Sequence, residues 1–220
     1  MDKSFQSYLR PTHYIDTDHP AVIAYAHEHA TANAPIDQVV QLYYTIRDGF
    51  KYNPYELVLT KEGLKASAIL KKDSGYCVEK ANLLAACCRV LGIPSRLGFG
   101  IVKNHIGVEQ VLKYLRTDLL VFHGYAELYL DERWVKATPA FNKELCAHYQ
   151  VEPLEFDGRN DSLFQEYNST GRQFMEYKHE YGTFDDLPRD LFIAELKKYY
   201  PHIFADLSDH QYKFIITSDT

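Results

Sequence analysis

The chain has 220 residues, 46% of them hydrophobic and 14% aromatic, so it can bury one sizeable core, and its formal net charge is −6. Its Lys and Arg residues are interleaved with carboxylates, which argues against a nucleic-acid partner, and no apolar run approaches the roughly 18 residues that would span a membrane. The N-terminus lacks the apolar stretch of a secretory signal, so we expect a cytoplasmic protein without a membrane partner.

Helical patterns dominate the N-terminal part of the chain. Apolar spacing predicts helices over residues 20–33 and 35–48, then a short helix over residues 64–71. The Ala- and Leu-rich run 77–91 is the strongest helical pattern, and Gly92 behind it suits a helix end.

Strand patterns follow the helices. Residues 95–102, 120–130 and 133–138 read as strands, and helices followed by strands favour an α+β fold with an antiparallel sheet. Beyond Gln150 the composition becomes polar, aromatic and charged. There, residues 154–157 and 172–181 alternate as strands do, and residues 188–200 predict a closing helix. We expect residues 151–220 to be an extension that packs on the same domain, as a lid or an extra layer.

The cysteine and histidine spacings do not suggest a metal site. The four cysteines include no CxxC pair, and without an export signal a disulfide framework is not expected. Cys87 and Cys88 fall within the apolar helical run and read as core residues. His27 and His29 are two positions apart on a helix and do not share a face. We therefore predict no metal and no cofactor.

Cys77 stands in a different setting, directly at the start of the strongest helix. A thiol there faces unsatisfied N–H groups and the positive end of the helix dipole, which favour the thiolate. The Cys77 N–H would also point toward an oxyanion formed when its sulfur attacks a carbonyl. The alternative is that Cys77 is a small residue at a helix cap.

A cysteine nucleophile needs a base, and His123 is the candidate. Residues 120–138 read as a β-hairpin, and if Asp131 and Glu132 form a two-residue turn, Leu130 faces Arg133. His123 and Thr138 then share a face as diagonal neighbours, so the Thr138 hydroxyl could reach the imidazole. The alternative for His123 is an exposed strand histidine.

These residues together resemble the transglutaminase-like superfamily over roughly residues 35–142. The resemblance rests on Gly75-Tyr76-Cys77, on the helix that continues into Gly92-Ile93-Pro94-Ser95-Arg96, and on the later His123 hairpin with Trp134. It implies a papain-like α+β fold with the nucleophile helix packed on an antiparallel sheet. It also implies a catalytic triad of Cys, His and Asp in that chain order. Residues 1–150 would form the catalytic domain.

One position departs from the family pattern. The acid of the family normally precedes proline in the strand after the tryptophan, and here the matching residue is Thr138, before Pro139. A hydroxyl can fix the tautomer of an imidazole, but it cannot stabilise an imidazolium as a carboxylate does. Either the triad is Cys77, His123 and Thr138, or Asn142 or another side chain substitutes, or catalysis is weak or lost.

The function expected from this combination is acyl transfer through a thioester on Cys77. A peptide, a protein or a small amide would be the substrate, and hydrolysis (a cysteine protease or amidase) is preferred over transfer to an amine. The competing hypothesis is a binding or scaffold module that keeps the fold with weak or no activity, and Thr138 is the feature that supports it.

Overall fold

The computed structural model describes residues 3–105, 109–167, 169–205 and 213–215. No helix within those ranges is long and apolar enough to cross a membrane. A short 3-10 helix covers Lys3–Tyr8. The α-helices are α1 Pro20–His29, α2 Pro35–Gly49, α3 Ala66–Ile69, α4 Cys77–Val90, α5 Glu109–Leu115, α6 Lys143–Tyr149, α7 Arg189–Tyr199 and α8 Pro201–Phe204. The strands are β1 Lys51–Tyr52, β2 Glu56–Val58, β3 Ser74–Gly75, β4 Ser95–Asn104, β5 Leu119–Leu130, β6 Arg133–Ala137, β7 Met175–Phe184 and β8 Lys213–Ile215.

The main sheet has four antiparallel strands in the order β6-β5-β4-β7. Helix α4 packs against β5, and α1, α2 and α3 pack around α4 on its other sides. The predicted α+β class is therefore confirmed, with helix α4, which begins at Cys77, packed on an antiparallel sheet. Two short pairs lie apart from this sheet: β1 with β3, which is parallel, and β2 with β8, which is antiparallel.

Helix α4 is buried on all sides. Every residue from Cys77 to Arg89 is buried, and the small Ala and Cys side chains allow neighbouring elements to approach closely. Such a helix is the centre of a core and not an amphipathic surface helix. Its polar side chains must therefore find partners inside the protein.

Two of these polar side chains bond to backbone carbonyls of distant segments. Asn82 donates to the carbonyls of Tyr14 and Leu64, each at 3.0 Å. Arg89 donates to the carbonyl of Ser95 at 2.8 Å and to that of Asp185 at 2.6 Å. The buried helix thereby holds irregular segments from both ends of the chain.

Lys80 makes the densest of these connections. Its fully buried Nζ donates to the carbonyls of Arg47 and Phe50 at 2.8 Å and of Ala140 at 2.7 Å. Burial lowers the pKa of Lys80 to about 7, yet three acceptors match the three N–H groups of an ammonium. Lys80 thus joins the end of α2 and the chain after β6 to the first turns of α4.

The segment beyond residue 150 contributes to the same core. Strand β7 pairs with β4 along most of its length, and α7 packs on β5. The predicted strand at 154–157 is wrong, because this stretch is irregular and its Leu154 carbonyl accepts from Tyr43 and Arg47 of α2. Residues 168, 206–212 and 216–220 of the expected extension lie outside the described residues.

The Lys80 connection leads to a stability prediction. Lys80→Met keeps the aliphatic length but removes the donor from three buried carbonyls, so we expect the free energy of unfolding to fall by about 3 kcal/mol or more. Urea unfolding followed by circular dichroism measures this difference. Lys51→Met, at an exposed position of β1, is the matched control and should stay within about 0.5 kcal/mol of the native protein. Equal losses of stability in Lys80→Met and Lys51→Met would contradict the stabilising role given to the three Lys80 hydrogen bonds.

Candidate active site

Helix α4 begins at Cys77 itself. The preceding residue, Tyr76, is extended with φ −100° and ψ 178°, and its N–H donates to Glu79 Oε2 at 3.2 Å. Glu79 also forms an ion pair with Lys72 at 2.5 Å. The Glu79 carboxylate therefore completes the N-terminus of the helix, a role in keeping with a first-turn acid.

The Cys77 sulfur is buried among hydrogen-bond donors. Burial raises the pKa of Cys77 to about 11, while hydrogen bonds from the N–H groups of Gly124 and Val78 and from the Tyr52 hydroxyl act to lower it. Burial also raises the pKa of Tyr52 well above its usual value, so its hydroxyl stays a donor. Donors so placed stabilise negative charge that develops at or next to the sulfur.

Gly124 lets β5 approach the first turn of α4 closely. A Cβ at this position would lie 2.9 Å from Val78 Cα and 3.0 Å from Val78 Cγ2. Glycine is the residue that permits such an approach without displacing its neighbour. Sequence reasoning gave no role to Gly124 or Tyr52, although a glycine directly after the candidate base was a usable signal.

A β-bulge immediately precedes His123. The pairs Gly100 with His123 and Val102 with Leu120 leave two residues of β5 opposite one of β4. Phe122, in the bulge, has φ 63°, a left-handed conformation that is uncommon for a bulky residue. Bulges redirect the side chains next to them, and His123 is the first residue after this one.

His123 is buried, and its imidazole lines two spaces. One is a groove beside α4, here called the Cys77 groove, whose lining includes Tyr52, Tyr76, Cys77, Phe122, His123 and Phe192. The other is a small cavity shared with Thr138 and Gln165. Burial lowers the pKa of His123 to about 4, so the ring is neutral at pH 7. Neither ring nitrogen has a hydrogen-bond partner among the described residues.

The hairpin register matches the prediction over the paired part, with Leu130 opposite Arg133 and Ala126 opposite Ala137. The pairing ends there, because the chain turns away and the Thr138 N–H donates to the Ser162 carbonyl at 2.9 Å. The ladder therefore stops before Thr138, and the predicted position of Thr138 as a diagonal neighbour of His123 in a continued hairpin is wrong. Thr138 still shares the small cavity with His123, and its hydroxyl has no partner within the described ranges.

Asn142, the other candidate for orienting the histidine, is engaged elsewhere. Its Oδ1 accepts from the Tyr52 N–H at 2.9 Å, and its Nδ2 donates to Glu144 at 2.6 Å. Asn142 thus positions β1 and, through it, the Tyr52 hydroxyl that reaches the Cys77 sulfur. This contact acts on the sulfur side of the site and not on the imidazole.

Trp134 and the cysteines in the middle of α4 have packing roles. Trp134 packs under the Arg96 guanidinium, 4.1 Å from the ring centroid, and against Tyr8 and Tyr129. It therefore joins the sheet to the N-terminal 3-10 helix. Cys87 and Cys88 are fully buried core residues of α4, as expected.

The model of the transglutaminase-like superfamily matches residues 23–139, more than half of the chain. The chain therefore belongs to the transglutaminase-like superfamily, which confirms the resemblance seen in its sequence. No curated protein matches it.

Two solved structures are similar to this chain. One is a "putative cysteine protease" from Cytophaga hutchinsonii, with 16% identity and a TM-score of 0.48, covering 84% of this chain and 55% of that one. The other is a "putative protease" from Parabacteroides distasonis, with 13% identity and a TM-score of 0.38, covering 61% of this chain and 25% of that one. The chain thus spans about half of the first protein and a quarter of the second.

The surroundings of the four thiols predict the order of their reactivity. Cys77 has donors that stabilise its thiolate, so iodoacetamide should modify it before Cys87, Cys88 and Cys146, as mass spectrometry would locate. With a pKa of about 11, the rate should rise about tenfold per pH unit between pH 7 and 10. Cys146→Ser should leave the fast phase intact, because the Cys146 sulfur accepts only from the Gln165 side chain at 3.9 Å among the described residues, whereas the Cys77 sulfur accepts from backbone N–H groups at a helix start. Earlier modification of another cysteine, or a rate independent of pH, would contradict this description.

Proposed function

We propose that the chain is a cysteine-nucleophile hydrolase that acts on a peptide, protein or small amide through a thioester on Cys77. The observation that carries the proposal is the Cys77 sulfur at the start of α4, which accepts from backbone N–H groups and the Tyr52 hydroxyl and shares one groove with His123. A buried thiol, a neutral imidazole and preorganised donors are the components of acyl transfer. All four cysteines are free, which fits a reducing, cytoplasmic setting.

The proposed reaction has two steps. In the first, Sγ attacks the carbonyl carbon while a nitrogen of His123 takes the thiol proton. The C–N bond then breaks, and the amine leaves with that proton. In the second step His123 takes a proton from water and the water oxygen attacks the thioester carbon. The C–S bond then breaks, the acid is released, and the proton passes from His123 to the Cys77 sulfur. In each step the oxyanion would be stabilised by the N–H groups at the start of α4 and by the Tyr52 hydroxyl.

A second function is favoured by one observation. The resting Cys77 and His123 are both neutral, with pKa values of about 11 and about 4, and Thr138 brings no negative charge to the imidazole. A binding module that uses the groove without turnover would have the same features. Detection of an acyl-enzyme separates the two functions.

The acyl-enzyme test uses 4-nitrophenyl butyrate, whose leaving group is good enough to reveal a slow enzyme. We expect release of 4-nitrophenolate and a butyryl adduct on Cys77, absent from Cys77→Ala. His123→Asn should lower the rate at least about 100-fold, the usual contribution of a general base. With methylamine added, butyrate should remain the main product over N-methylbutyramide. An adduct on another residue, or no adduct, would refute the proposed nucleophile.

The role proposed for Thr138 is to bond the His123 imidazole during acyl transfer, since the two side chains share a cavity and neither has a partner among the described residues in the resting site. A substitution that keeps the side-chain volume tests this role. Thr138→Val keeps the volume but removes the hydroxyl, so the butyryl transfer rate should fall about fivefold, the value of one hydrogen bond. Thr138→Asp should raise the rate about tenfold, because a carboxylate stabilises the imidazolium that forms. Thermal unfolding of each variant checks that the fold persists. An unchanged rate in Thr138→Val would make Thr138 a packing residue, and the rate in Asn142→Ala would be measured next.

A further inference from the structure

The Cys77 groove has a wall that comes from outside the part of the chain matched by the family model. Phe192 and Leu196 of α7, then Tyr200, line the groove at four-residue intervals, so they lie on one helical face. Ile203 and Phe204 of α8 continue the same wall. The family match ends at residue 139. The reactive residues and this part of their surroundings are thus supplied by different regions of the chain.

This wall is anchored next to both reactive residues. The Phe192 ring stacks on Phe122, which precedes His123, with centroids 4.7 Å apart, and lies 6.4 Å from the ring of Tyr76, which precedes Cys77. The Tyr200 hydroxyl donates to the Leu119 carbonyl at 2.7 Å and accepts from the Val121 N–H at 2.8 Å. The position of the wall is therefore fixed relative to the sulfur and the imidazole.

The chemistry of the groove is uncharged. Among the described residues that line it, none carries a charge at neutral pH, and most are aromatic or aliphatic. A charged substrate group would lose its hydration there without gaining a partner, whereas an apolar group would gain by burial. The groove favours a large apolar side chain next to the reacting carbonyl.

One polar atom in the groove wall distinguishes between kinds of apolar substrate. Tyr76 lines the groove, is buried, and its hydroxyl has no hydrogen-bond partner in the described parts of the chain. Buried polar groups are normally paired, so this hydroxyl is available to a polar atom of the substrate. An amino-acid residue carries an amide beside its side chain, while an alkanoyl chain does not.

We propose that the groove binds an aromatic or large aliphatic amino-acid residue on the acyl side of the bond that Cys77 attacks, with the amide of that residue bonded to the Tyr76 hydroxyl. This inference rests on the proposed function for the identity of the attacking atom. Residues 189–204 then determine selectivity, as the wall of a binding site. The substrate class is a peptide or N-acylated amino acid with an uncharged, bulky residue before the scissile amide.

The first experiment compares acylation of Cys77 by 4-nitrophenyl esters of N-acetyl-phenylalanine, N-acetyl-glycine and N-acetyl-lysine. The phenylalanine ester should react roughly 10- to 100-fold faster than the other two, as burial of an aromatic side chain predicts. Ile203→Glu, at a half-buried position of the groove wall, should reduce this preference and raise the relative rate of the lysine ester. Leu191→Glu, on an exposed position of α7, is the matched control and should leave the order of rates as in the native chain. Equal rates for the three esters would overturn the proposal.

The Tyr76 contact is tested through a ratio of rates. Tyr76→Phe should lower the rate of the N-acetyl-phenylalanine ester relative to the 3-phenylpropionate ester, which lacks the amide, about tenfold. An unchanged ratio would show that the Tyr76 hydroxyl does not bond to the amide of the substrate. The groove would then accept an alkanoyl chain equally well, which contradicts the proposed substrate class.

A binding measurement separates this proposal from the proposed function. In Cys77→Ala, N-acetyl-phenylalaninamide should bind at least tenfold more tightly than N-acetyl-lysinamide, as titration calorimetry would measure. If the native chain forms no acyl-enzyme but this preference is found, the proposed function fails and the groove assignment stands. If acylation occurs without preference for phenylalanine, the function stands and the groove assignment fails.

Discussion

The approach of β5 to the first turn of α4 is the contact on which the site depends. Because residue 124 is glycine, the strand backbone lies against Val78 where any Cβ would be too close. The approach brings the Gly124 N–H to the Cys77 sulfur, and His123 is the adjacent residue in the strand. The buried helix is held on its other sides by Lys80, Asn82 and Arg89, so it has little freedom to retreat from the sheet. The relation between Cys77 and His123 is therefore a property of the core packing and not of a loop.

The electrostatics of this site follow from burial more than from charge pairing. Burial raises the pKa of Cys77 and lowers that of His123, so it disfavours the thiolate and the imidazolium alike in the resting site. A preformed ion pair is therefore not the resting state. Proton transfer would accompany attack on the carbonyl, at the moment when the donors around the sulfur gain a negative charge to stabilise. A site without a preformed thiolate depends more on the positioning of the substrate than a site that has one.

The sequence allowed prediction of the features that local rules control. The Asp131 and Glu132 turn fixed the hairpin register, and both residues have positive φ, as a two-residue hairpin turn requires. The extent of α4 was predicted from the Ala- and Leu-rich run that begins at Cys77 and from Gly92, which suits a helix end. Both features involve residues within a few positions of one another, where periodicity and turn chemistry decide the structure.

The features that escaped prediction depend on contacts between distant segments. The bulge at Phe122 is visible only once β5 is paired with β4, and it decides the direction of His123. Residues 154–157 contact side chains of α2 instead of a neighbouring strand. Their alternating pattern is real, but it does not correspond to a strand. Asn142 resembled a substitute for the missing acid, but its neighbour in space is Tyr52, 90 positions earlier.

The roles proposed for the two regions of the chain, reaction in one and substrate selection in the other, have a physical basis. Attack on a carbonyl requires a nucleophile, a base and donors held within a few tenths of an ångström, and these groups come from α4, β1 and β5, within residues 51–130. Discrimination between substrates requires only shape and polarity along a wall, which one helical face can supply. In this chain that face belongs to α7, and Phe192 is stacked beside the neighbours of both Cys77 and His123. Under the proposed function, a substitution in α7 would therefore alter which acyl group reaches the sulfur while the donors around the sulfur stay in place.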